Sequence, residues 1–123
     1  MGKNILIVDD EEDIRLTLKL LLEARGYNCT EAQDSENAME VIKNDVPDII
    51  LLDIMLPGKS GYRICWELKN DEKFANIPII FITAKTSEAD RVLAEQMRGN
   101  GYLEKPISKT RLLELINNYI GTP

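Results

Sequence analysis

The sequence predicts an α/β fold in which a doubly wound parallel sheet of five strands alternates with five helices. Two observations carry that expectation. Ile5-Leu6-Ile7-Val8, Ile49-Ile50-Leu51-Leu52 and Ile79-Ile80-Phe81-Ile82 are continuous apolar runs without alternation, the pattern of strands covered on both faces. Between and after them lie segments with apolar residues at helical spacing, and parallel strands need such crossovers because their ends point the same way.

Taken in order, the first run is a strand, followed by a helix on which Ile14, Leu18, Leu21 and Leu22 fall at i, i+4, i+7 and i+8, with Arg15, Lys19 and Glu23 on the solvated side. Gly26 ends that helix. Asn28 to Ala32 reads as a weaker strand. Asp34 or Ser35 caps a helix that runs to about Asn44 and turns Ala38, Met39, Val41 and Ile42 inward, and Pro47 marks the return to the sheet. After the second apolar run, Pro57-Gly58-Lys59-Ser60-Gly61 is a loop of turn residues ahead of a helix from about Tyr62 to Asn70. The inner arc of that helix is Tyr62, Ile64, Cys65 and Leu68, which leaves Trp66 half-buried at its edge. Pro78 starts the third run. Ser87-Glu88-Ala89-Asp90 has capping-box spacing, with Asp for the usual Glu or Gln, ahead of an inner face of Val92, Leu93, Gln96 and Met97; Gly99 and Gly101 break that helix. A short strand at Tyr102-Leu103-Glu104, a turn at Lys105-Pro106 and a last helix opened by Ser108, with Leu112, Leu113, Ile116 and Ile120 on one face, complete the pattern. Gly121-Thr122-Pro123 is expected to fray.

The 123 residues read as a single domain spanning 1–123. Fifteen Lys and Arg against 21 Asp and Glu give a net charge of −6, which argues against direct nucleic-acid or anionic-membrane partners. His is absent, which excludes histidine bases, Ser-His-Asp triads and imidazole metal sites. Cys29 and Cys65 are too far apart for a redox or metal knuckle and read as buried thiols in a reducing cytosol. The four-residue apolar run ahead of Asp9 is too short for a signal peptide, and no run approaches the ~20 residues of a membrane span, so a cytoplasmic protein is expected.

Chemistry is expected at the strand ends. Val8 is followed by Asp9-Asp10, Leu52 by Asp53, Ile82 by Thr83, and Leu103-Glu104 by Lys105. In an open α/β sheet, ligands bind beyond the carboxyl ends of the strands, where the strand order reverses. With neighbouring strands roughly 4.8 Å apart, these side chains would share one crevice. Three close carboxylates repel one another unless a cation or a proton intervenes, and an all-oxygen set selects a hard divalent ion, Mg²⁺ with Mn²⁺ as its substitute. Singly, Asp9 and Asp10 could merely cap a helix and Asp53 merely end a strand; the repetition across strands favours a site. A carboxylate beside Mg²⁺ and Lys, with a hydroxyl on the next strand, suits attack on phosphorus to give an aspartyl phosphate, and the same layout admits slow hydrolysis by water.

The pattern resembles the receiver domain of two-component response regulators. The motifs that carry the resemblance are Ile5-Leu6-Ile7-Val8-Asp9-Asp10-Glu11, the segment from Pro47-Asp48 through Asp53-Ile54-Met55-Leu56-Pro57-Gly58 with Gly61, Ile77-Pro78 through Thr83-Ala84, and Gly101-Tyr102-Leu103-Glu104-Lys105-Pro106-Ile107. The resemblance implies a flavodoxin-like sheet of order 2-1-3-4-5, with Asp53 as phosphoacceptor. It implies a Mg²⁺ site on Asp10 directly, Asp9 through water, Asp53, and Met55 through its main-chain carbonyl. Lys105 would bind a phosphoryl oxygen ahead of a cis Pro106, Thr83 would hydrogen-bond the transferred group, the small Ala84 would leave access, and Tyr102 would be the switch aromatic that turns inward with Thr83. The partners it implies are a sensor histidine kinase or phosphotransfer protein, contacting Arg15, Lys19 and the exposed side of the first helix, and a downstream protein bound by the face of the fourth helix, fifth strand and fifth helix. Such a protein phosphorylates and dephosphorylates itself and does not turn over an external substrate.

Response regulators commonly carry Gly-Ala and two acids where this chain has Arg98-Gly99-Asn100-Gly101. The similar transcription-factor branch dimerises through charges on that face, so a monomer is expected. With no effector after Pro123, a stand-alone regulator of the chemotaxis or motility type is expected, the alternative being a receiver cut from a longer regulator with a DNA-binding or enzymatic effector. An Asp-nucleophile phosphatase would carry an Asp-x-Asp motif after the first strand, where this chain has Asp9-Asp10-Glu11. In a flavin carrier, the acidic run from Asp9 to Asp13 would repel the cofactor phosphate.

Overall fold

Five strands and five helices alternate in the computed structural model, which describes residues 2–84 and 87–123. They are β1 (Asn4–Val8), α1 (Glu12–Glu23), β2 (Asn28–Ala32), α2 (Ser35–Asn44), β3 (Ile49–Asp53), α3 (Gly61–Lys69), β4 (Ile79–Thr83), α4 (Glu88–Gln96), β5 (Gly101–Glu104) and α5 (Lys109–Ile120). The strands pair in parallel in the order β2-β1-β3-β4-β5, the flavodoxin-like order. Register brings the carboxyl ends level: Val8 lies opposite Leu52 and Ala32, Asp53 opposite Ile82, and Thr83 opposite Glu104. The chain steps from β1 outward to β2 and then back across β1 to β3, so the order reverses between β1 and β3 and a crevice opens there.

Successive strand side chains face opposite ways, and both faces are covered. Leu6, Val8, Ile50 and Leu52 pack on one side with Ala38 and Ile42 of α2, Ile64 and Leu68 of α3, and Ala94 of α4. Ile5, Ile7, Ile49 and Leu51 pack on the other with Leu18 and Leu22 of α1 and Leu112 and Ile116 of α5. This two-sided burial is why β1, β3 and β4 are almost continuously apolar, whereas the edge strands β2 and β5 each bury a single residue. Among the described residues, no helix is long and apolar enough to cross a membrane. Cys65 is buried and Cys29 half-buried, both as free thiols.

Several expectations need correction. α4 buries Ala94, whereas Val92 is 44% exposed and Gln96 is exposed. The helix stops at Gln96, before the glycines, because Arg98 takes a left-handed φ of 69°. Gly99 is needed for a different reason: a Cβ there would lie 2.4 Å from the Phe81 ring. Trp66 is exposed, with the Arg63 guanidinium 5.9 Å from its ring centroid. The carboxyl tail does not simply fray, since Tyr27 donates its hydroxyl to Gly121 O at 3.0 Å.

Candidate functional site

Asp9 follows the last residue of β1, and its amide still donates to Ala32 O on β2 at 3.1 Å. Its carboxylate Oδ1 accepts the Glu11 amide at 2.9 Å, so Asp9 forms the turn into α1 rather than capping it; the cap position is Glu11, which makes no side-chain cap bond. Asp53 ends β3 and uses Oδ1 to accept the Met55 amide at 3.1 Å. Behind Asp53 the α3 start comes very close: a Cβ on Gly61 would meet Asp53 O at 2.3 Å, so the glycine lets α3 begin against the strand end. Lys105 is brought in from β5. Its amide donates to Thr83 O at 2.9 Å, and its ammonium donates to Asp9 Oδ2 at 2.9 Å and Asp53 Oδ2 at 3.1 Å. The Lys105–Pro106 peptide is cis.

Asp9 and Asp53 are only 2% and 4% exposed, while Asp10 is exposed. Burial pushes the Asp53 carboxyl above the ordinary value, with Asp9 adding to the effect and Lys105 and the Met55 amide opposing it. Burial alone would depress the Lys105 ammonium, but its bonds to Asp9 and Asp53 outweigh that and hold it above the ordinary lysine value. One carboxylate oxygen each from Asp9, Asp10 and Asp53 can be chosen so that all lie within 4.8 Å of one another. These residues fit a hard divalent cation. The donors are all oxygen, and one ammonium leaves a cluster of three carboxylates with uncompensated negative charge.

Thr83 is fully buried at the end of β4, beside the crevice. Tyr102 on β5 is half-buried, with the Arg91 guanidinium 5.5 Å from its ring centroid, and Arg91 also pairs with Glu104. The Tyr102 hydroxyl is buried without a hydrogen-bond partner among the described residues. Tyr62 on α3 does find partners, donating to Asp90 O at 3.1 Å while its ring meets Phe81 edge-on.

A family model described as the response regulator receiver domain matches residues 5–117. The chain belongs to this family. The phosphate regulon transcriptional regulatory protein PhoB of Pseudomonas aeruginosa is 44% identical over 113 residues, which make up 92% of this chain and 49% of that protein; the chain therefore spans about half the length of that curated relative. Among solved structures, a putative response regulator from Chloroflexus aurantiacus superposes with a TM-score of 0.92 at 28% identity, covering 97% of this chain and 98% of that one. The chemotaxis protein CheY4 of Vibrio cholerae gives 0.91 over 98% of this chain and 100% of its own, at 23% identity, and shares the fold. As a receiver of the two-component type the protein is a phosphorelay module. Receivers as a class bind Mg²⁺, work with histidine kinases and downstream effectors, and are generally not turnover enzymes.

In this receiver Asp9, Asp10, Asp53 and Lys105 converge as the strand-end pattern anticipates, with Thr83 at the next strand end. Arg15 does not sit where its sequence pattern suggests. Its side chain is 13% exposed, with Nη1 donating to Asp9 O at 2.7 Å and Nε to Glu31 Oε1 at 3.2 Å. Asn100 is exposed as a residue, yet its Oδ1 accepts Lys69 Nζ at 2.9 Å and the Ile79 amide at 2.8 Å. Gly61 was visible in the sequence as a turn residue, but its closeness to Asp53 was not.

Proposed function

We propose that this receiver accepts a phosphoryl group on Asp53 from a phosphohistidine of a sensor kinase or phosphotransfer protein, in a reaction that requires Mg²⁺ or its substitute Mn²⁺. The observation that carries the proposal is the convergence of Asp9, Asp10 and Asp53 within 4.8 Å, with the Lys105 ammonium bonded to two of them. Asp9, Asp10, Asp53 and the Met55 main-chain carbonyl would hold the ion, which supplies charge neutralisation for the phosphoryl oxygens. Asp53 attacks phosphorus and displaces the imidazole. Its charge then moves to the phosphoryl oxygens, and Lys105 exchanges its bond to Asp53 Oδ2 for one to a phosphoryl oxygen. Thr83 hydrogen-bonds the transferred group, and Tyr102 follows it inward. Acyl phosphate formation of this kind is reversible by water, so the mark is transient.

The donor docks beside α1, where a groove of about 540 Å³ lined by Ile14, Leu18, Leu21, Pro106 and Ile107 runs to Lys105. Lys19, part-exposed and 3.6 Å from Glu31, stands on another side of α1, whereas Arg15 is occupied within the fold. Output goes to a downstream protein through the face of α4, β5 and α5, with the receiver acting as a monomer. The transcriptional PhoB relative supports a second reading, in which the receiver controls an effector that acts on DNA.

Incubation with a small acyl phosphate and Mg²⁺, followed by intact mass measurement, tests the acceptor. One added phosphoryl group is expected, and it is lost with Asp53→Asn or with a chelator. Equal labelling of Asp53→Asn would overturn the assignment.

A further inference from the structure

We infer that Arg15 is a positioning residue for the carboxylates of Asp9 and Asp10, acting through the peptide bond that joins them; the inference rests on the reading that these acids hold a divalent cation. The β1 ladder ends at Val8, paired with Leu52 and Ala32. The next carbonyl, that of Asp9, belongs to the Asp9–Asp10 peptide and accepts Arg15 Nη1 at 2.7 Å. A peptide unit is planar, so fixing its oxygen fixes the direction in which the chain enters Asp10. The Asp9 carboxylate has its own anchors in the Glu11 amide and the Lys105 ammonium. Asp10 is exposed, so its aim relative to Asp9 is set largely by the backbone between them.

The guanidinium is itself gripped. Glu31 on β2 accepts Arg15 Nε at 3.2 Å, and Lys19 lies 3.6 Å from the other Glu31 oxygen. A planar fork can serve the carbonyl and the carboxylate at a fixed mutual angle, which a lysine ammonium on a flexible stem cannot. Arg15 therefore links the β2 edge to the acid pair, and its charge is balanced locally by Glu31.

Calorimetric titration of the full chain with MnCl₂ tests this, on the wild type, Arg15→Met, Arg15→Lys and Tyr27→Phe. Groups that orient metal ligands typically govern affinity by about tenfold or more; a loss of about tenfold is expected for Arg15→Met and a smaller loss for Arg15→Lys. Tyr27→Phe removes the bond to Gly121 O and should lower the melting temperature while leaving Mn²⁺ affinity unchanged. Wild-type affinity in a folded Arg15→Met would reduce Arg15 to a tie between α1 and β2 and overturn the inference. Should Arg15→Met fail to fold, Arg15→Lys decides: weakened binding supports positioning through the fork, and wild-type binding overturns it. A wild type that takes up no Mn²⁺ would instead overturn the cation reading, and this inference with it.

Discussion

The raised carboxyl of Asp53 ties stability to pH. Burial is the largest cause of the shift, so the folded chain retains a proton that the unfolded chain has released between the ordinary value of 3.8 and the raised one. Stability therefore falls as pH rises through that window and stays reduced above it. Without divalent cation, Asp53→Asn should melt higher than wild type at pH 7, and the difference should vanish in acid below the ordinary carboxyl value. Calorimetric melts at the two pH values measure this. The tyrosines on either side of α4 make an opposed pair. Tyr102 carries a buried hydroxyl without a partner among the described residues, and such a group costs about 1–3 kcal/mol. Tyr102→Phe should gain about 1 kcal/mol, whereas Tyr62→Phe, which loses its bond to Asp90, should lose about 1 kcal/mol. Denaturant melts of the two variants check the opposite signs.

The amino ends of β4 and β5 are held by polar contacts from the end of α3 and the segment after α4. Lys69, at the last turn of α3, is buried and donates to Ile77 O at 2.7 Å, Ala75 O at 3.3 Å and Asn100 Oδ1 at 2.9 Å. Arg98, just beyond α4, donates to Lys69 O at 3.1 Å. The end of α3, the turn into β4 and the turn into β5 are thus tied at one point. Lys69→Met should cost about 2 kcal/mol by leaving buried acceptors short of a donor, read as a lowered denaturation midpoint with an unchanged slope. β1, β3 and β4 were legible almost to the residue because burial on both faces writes itself as unbroken aliphatic runs, whereas the edge strands β2 and β5 carry no such run. The helix α4 and its Ser87 cap were legible but its buried face was not, since a short helix that buries one alanine leaves a weak pattern and Val92 can face water. Lys69 and Arg15 were hidden for a related reason. A basic residue at helical spacing looks solvated until the fold brings acceptors distant in sequence against it, as it brings the Asp9 carbonyl and Glu31 to Arg15. The acid cluster was legible because Asp9 and Asp10 come straight after the apolar run of β1 and Asp53 closes that of β3.

At the scale of the whole molecule, the candidate site draws on the ends of four strands, β1, β3, β4 and β5, so a cation that binds only the assembled site must stabilise the whole fold. Mg²⁺ at about one hundred times its dissociation constant should add about 2.7 kcal/mol of stability, seen as a rise in Tm that chelator reverses and Asp10→Asn largely removes. The opposite end of the sheet carries the consequence of the Tyr27 tie. Tyr27 immediately precedes β2, and its hydroxyl holds Gly121 there, at the amino ends of parallel strands whose carboxyl ends carry the acids. A fluorophore or surface-immobilisation tag attached after Pro123 would therefore emerge from the far pole of the domain, leaving the acid cluster and the α1 groove open to a binding partner in solution.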